Sequence, residues 1–122
     1  MAKSKKDPVR EARIENEIVV DAYGPQEQAI GWYCYLESNL SFPFRARCIK
    51  SNVVSPLQKG EIVEARCMAA EDACLCDMLV LVRWQGRNLA LPLSQLAALD
   101  ADHTTDVAIS DWHYWVAQGC SF

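Results

Sequence analysis

The chain has 122 residues, 51% of them hydrophobic and 23% charged, with a formal net charge of −4. That length suits one domain with a buried core; no apolar run approaches the ~18 residues of a membrane span, and the charged start MAKSKKDPVREAR lacks the apolar segment of a signal peptide. A soluble cytoplasmic protein is expected, and nine acids against three arginines between positions 61 and 111 oppose a nucleic-acid partner and favour cations or basic partners.

Positions 1–6 read as a frayed basic tail. Asp7-Pro8 opens a first helix, because Asp caps and Pro is tolerated at the first helical position. Ile14, Ile18, Val19, Ala22 and Tyr23 then form an amphipathic stripe reaching the break at Gly24-Pro25. The stretch 27–48 organises the chain. It carries Ala29, Trp32, Tyr33, Leu36 and Leu40 at helical spacing, breaks at Ser38-Asn39-Leu40-Ser41, and continues with Phe42, Phe44, Ala46 and Cys48 alternating at strand spacing. The spacing predicts a helix over 25–39 and a strand over 42–50, followed by a loop over 51–60.

Strands are predicted over 61–68, with Ile62, Val63, Ala65 and Cys67 as its apolar residues, over 78–84, and over 89–93 after a tight Gln85-Gly86 turn. Positions 69–77 form an acidic, cysteine-bearing connection, and 94–99 read as a short helical turn. This order has the grammar of a small SH3-like barrel. A last helix over 104–118 has Thr104 as cap, Ala108, Ile109, Trp112, Trp115 and Val116 as apolar face, and Gly119 as stop. The expected fold is α+β in one domain, 1–122. N-terminal helices (1–41) pack on a small SH3-like antiparallel β-barrel or bent sheet (42–99), closed by a C-terminal helix (100–122).

Four constellations could carry chemistry. Asp100, Asp102, Thr104 and Asp106 stand at alternate positions, with Asp111 twelfth, as in an oxygen-rich calcium loop. Thr105 replaces the required Gly there, and Asp and Thr also crowd helix starts as caps. Glu71, Asp72 and Asp77 repel one another unless they are solvated or metal-bound. Glu37, Ser38 and Asn39 end the second helix with three oxygen-bearing side chains and could share an ion with that turn. Cys74-Leu75-Cys76 is tighter than structural zinc pairs, and no second pair exists. Of the six cysteines, Cys34, Cys48 and Cys67 fall on apolar faces and read as buried thiols in a reducing compartment. No nucleophile elbow, phosphate loop or HExxH motif is present, and His113 reads as a half-exposed helix residue.

The segments IENEIVVDAY (14–23), GWYCYLESNLSFPFRA (31–46), SPLQKGEIVE (55–64), ALPLSQL (90–96) and AISDWHYWVAQG (108–119) resemble, in order, the small cyanobacterial calcium-binding proteins called CcbP. The resemblance implies an acidic cytoplasmic protein that binds Ca²⁺ reversibly as a buffer or signalling component. It implies no EF-hands and no enzymatic activity. It draws attention to the junction Glu37, Ser38 and Asn39. An acidic residue at position 38 would bind calcium better than serine. The expected ligand is therefore Ca²⁺, with Glu37, Ser38, Asn39, Glu71, Asp72, Asp77, Asp100, Asp102 and Asp106 as candidate ligands. No membrane partner is expected. The alternative reading is an SH3-like module that docks a protein partner through an aromatic patch, with no specific metal. A thiol-metal site comes third.

Overall fold

The computed structural model describes residues 7–20, 22–50, 56–74 and 77–118. The basic tail 1–6, part of the 51–60 loop, Leu75, Cys76, Gly119 and Cys120 lie outside the described residues. Helix α1 spans Pro8–Arg13, and the Asp7 carboxylate accepts from the amides of Val9 and Arg10. The chain then widens into a π-helical turn, Ile14–Ile18, marked by the bond from Val19 N to Ile14 O at 2.9 Å. The widened turn ends the helix five residues before the expected stop. Ile14 and Ile18 still face the core, but Tyr23 is 88% exposed instead of extending the buried stripe.

Helix α2 spans Pro25–Asn39 and buries Ala29, Trp32 and Leu36. Cys34 sits two residues from Trp32, about 200° around the helix. It is therefore exposed, contrary to the expectation of a buried thiol. Gly31 permits the close packing of α2 on the preceding segment, because a Cβ there would overlap the carbonyl oxygen of Ile18.

The strands are β1 Phe44–Cys48, β2 Ile62–Met68, β3 Leu79–Trp84, β4 Arg87–Pro92 and β5 Leu96–Leu99, all paired antiparallel in the order β4-β3-β2-β1-β5. They form an open sheet rather than a closed barrel, with β4 and β5 at its edges. Strand β1 buries Phe44, Ala46 and Cys48 and exposes Arg45 and Arg47, as its alternation predicts. In β2 a bulge between Ala65 and Cys67 reverses the parity. Met68 then points into the core and Cys67 outward, which corrects the reading of Cys67 as buried. Gln85 and Gly86 both have positive φ, 49° and 76°, the geometry of a tight hairpin turn.

Residues 96–99 are a strand and not part of a helical turn. Only Leu93–Gln95 is helical, of the 3₁₀ kind, and Leu96 to Leu99 pair with Cys48 to Arg45 of β1. The two alanines give weak local strand preference, so long-range pairing decides. Helix α3 spans His103–Ala117 and is capped by Asp102 rather than Thr104: Thr105 N donates to Asp102 Oδ1 at 2.7 Å. Trp32, Trp112 and Trp115 meet in the core with ring centroids 5.0 to 5.5 Å apart. These tryptophans are 0%, 2% and 8% exposed, so they cannot form a docking patch.

Candidate metal centre

Two places gather the candidate oxygens. The first lies where the end of α2 meets the 3₁₀ turn Glu71–Cys74. Tyr33 and Glu37 are four residues apart on α2 and share a face. The Tyr33 hydroxyl is pushed up to about 12, first by burial, then by the Glu37 carboxylate against it, with smaller effects from Cys74 and Glu71. Glu37 and Glu71 thus bear on one hydroxyl from two elements. Glu37, Ser38, Glu71 and Asp72 are all exposed. Among the described residues, no lysine or arginine pairs with Glu37, Glu71 or Asp72. Helix α2 carries no basic residue in its last turn, so the negative end of its dipole faces this region uncompensated.

The rest of the turn is tied down locally. Asp77 is half-buried; its Oδ1 accepts from Met78 N at 2.8 Å, and burial pushes its carboxyl up. Cys74 is 1% exposed and receives a bond from Leu79 N at 3.5 Å. Burial pushes its thiol up, with Asp77 and Asp72 adding to the effect, so the sulfur stays protonated. A buried neutral thiol is no ligand for a soft metal. Asn39 closes the helix by donating from Nδ2 to Tyr35 O at 2.8 Å.

The second place is an open cleft of about 360 Å³ lined by Ser41, Arg45, Glu64, Leu99, Asp100 and Asp102, among others. Its acids are largely engaged. Arg45 pairs with Asp100 at 2.8 Å, and Arg66 pairs with Glu64 at 2.8 Å. Asp102 is held below the usual carboxylate range, first by its bond from Thr105 N and then by the Ser41 and Thr105 side chains. Asp106 is exposed in the first turn of α3. Asp111, twelfth in the run, lies elsewhere. It is fully buried and accepts from Arg13 at 2.8 and 2.7 Å and from the Tyr35 hydroxyl at 2.8 Å, with Arg10 3.2 Å away. It has no oxygen left for a cation.

The structure therefore packs α2, which carries Glu37, against the turn that carries Glu71 and Asp72, and leaves Asp100, Asp102 and Asp106 at or just before the start of α3. Among the described residues, no three His, Cys, Asp or Glu side chains converge closely enough to hold a metal as they stand. The residue that sequence reasoning missed is Tyr33, although its four-residue spacing from Glu37 was available as a signal.

The calcium-binding CcbP family (Calci_bind_CcbP) matches residues 12–116. The chain belongs to that family. The crystal structure of Anabaena CcbP is 42% identical over 100% of both chains, with a TM-score of 0.88. A calcium binding protein in the calcium-binding form is 41% identical, again over 100% of both chains and with a TM-score of 0.88. No curated protein sequence matches the chain.

Proposed function

We propose that this CcbP-family chain binds Ca²⁺ reversibly where α2 meets the Glu71–Cys74 turn. Glu37, Glu71 and Asp72 would supply the anionic oxygens, and Ser38, Asn39 and Asp77 stand near enough in sequence to complete the set. The observation that carries the reading is the packing of α2 against the Glu71–Cys74 turn, with Glu37, Glu71 and Asp72 all exposed. Two carboxylates from different elements, with no lysine or arginine partner among the described residues and at the negative end of a helix, favour a hard cation. The donors are all oxygens, which suits Ca²⁺ and not zinc. The calcium-binding form of a relative 41% identical supports the same ligand.

Binding would relieve the repulsion between these carboxylates and draw α2 and the turn together. Few anionic ligands on exposed elements suit dissociation constants of about micromolar or weaker. Asp100, Asp102 and Asp106 form the second candidate set, which is less favourable because Arg45 and the α3 cap already engage its first two members. The role is that of a non-catalytic cytoplasmic buffer or signalling component. Among the described residues, no helix is long and apolar enough to cross a membrane.

Calorimetric titration of the whole protein with Ca²⁺ and with Mg²⁺ tests the proposal. Heat and a raised melting temperature with Ca²⁺ are expected, with a weaker response to Mg²⁺, which demands a tighter octahedral shell. No heat and no thermal shift with Ca²⁺ would overturn it.

A further inference from the structure

The chain is acidic, yet its arginines are sorted. Of seven arginines, Arg10 and Arg13 hold Asp111, and four of the other five (Arg45, Arg47, Arg66 and Arg83) stand on the outer face of the sheet. The helices cover only the inner face, where Ala46, Val63, Ala65, Val80 and Val82 are buried. On the outer face the register sets Arg45 opposite Glu64, Glu64 opposite Arg83, and Arg47 opposite Ile62. Glu64 is the only acid within the strands on that face, and Arg66 pairs with it. Arg45 pairs with Asp100. Arg47 and Arg83 are exposed and, among the described residues, have no acidic partner.

Between them lies apolar surface. Ile62 is 53% exposed, and Leu81 and Ala97 are half-buried on the same face. Arginine is enriched at protein interfaces, and the exposed Ile62 adds apolar surface that a partner can cover. The register puts Arg47 and Arg83 two strands and one same-face step apart, about 12 Å. Carboxylates four residues apart on an extended peptide, about 13 Å, come close to that span. A continuous polyphosphate fits worse, because it has no apolar group to cover Ile62 and, among the described residues of this face, only Arg47 and Arg83 are unengaged cations.

We propose that the outer face of the sheet, centred on Arg47, Ile62 and Arg83, docks an acidic polypeptide segment that also carries aliphatic residues. The surface is separate from the α2 junction and operates without calcium.

The test is fluorescence anisotropy and amide NMR in chelator, with a short labelled peptide alternating glutamate and leucine as probe. Salt-sensitive binding is expected, with shifts confined to β1, β2 and β3 and at least about tenfold weakening in an Arg47→Glu/Arg83→Glu double variant. Ile62→Ser should weaken binding several-fold without changing the salt dependence. A circular dichroism spectrum and Ca²⁺ titration like the wild type's would show that the variants remain folded. Equal binding by the double variant, shifts mapping elsewhere, or tighter binding to single-stranded DNA or to anionic vesicles than to the peptide would each overturn the proposal.

Discussion

Arg13 Nε donates to Asp111 Oδ2 at 2.8 Å across 98 residues of sequence. The pair joins α1 to α3, and Asp111 is fully buried while Arg13 keeps a quarter of its side chain in solvent. Removing the arginine leaves a buried carboxylate with only Arg10 and the Tyr35 hydroxyl for company. Arg13→Met is expected to destabilise the fold by about 3 kcal/mol, at the low end for a broken buried pair. Tyr35→Phe should cost about 1 kcal/mol. Urea unfolding measures both, and an unchanged midpoint for Arg13→Met would contradict the assignment.

At Gly31 helix α2 passes close to the backbone of the π-helical turn. A methyl group there meets the Ile18 carbonyl oxygen, a backbone atom that cannot rotate aside. Gly31→Ala gains helix propensity but forces the two segments apart, so a net loss of about 1–3 kcal/mol is expected. A melting temperature at or above that of the wild type would show that the segments move freely.

His113 gives the fold a pH dependence. Its Nε2 lies 2.7 Å from the Leu96 carbonyl, and burial, with a smaller effect from Lys50, lowers its pKa below the ordinary 6.5. Above pH 6.5 the ring is neutral in both folded and unfolded chains, and its contribution to stability is fully present. As pH falls below 6.5, the unfolded chain binds the proton first, and stability is lost down through the folded-state value. Melting temperatures at pH 7.5 and 5.5 should therefore fall further apart in the wild type than in His113→Gln, whose amide can still donate to Leu96. Equal falls would contradict this role.

The parts of the fold legible in the sequence are those with a local cause. The alternation of Phe44, Ala46 and Cys48 with Arg45 and Arg47 fixes the faces of β1 because strand parity is local. The bulge that turns Cys67 outward and the pairing that makes Leu96–Leu99 a strand are settled by neighbours far along the chain. Asp111 illustrates the same limit. Its spacing suits a calcium loop, yet its partners Arg13 and Tyr35 lie 98 and 76 residues away. Glu37 and Glu71 are readable as carboxylates at element ends. The spacing of Tyr33 and Glu37 is local, but the approach of the Glu71 turn to them depends on how α2 packs, which no local pattern encodes.

The most direct test of the calcium proposal is a calorimetric comparison of two double variants. Glu37→Gln/Glu71→Gln keeps the shape of the α2 junction and removes its charge. Asp100→Asn/Asp102→Asn does the same at the start of α3, where asparagine still caps a helix. The α2 account predicts Ca²⁺ affinity at least about tenfold weaker in the first variant and within about threefold of the wild type in the second. Wild-type affinity in Glu37→Gln/Glu71→Gln, with the loss falling on Asp100→Asn/Asp102→Asn, would contradict it.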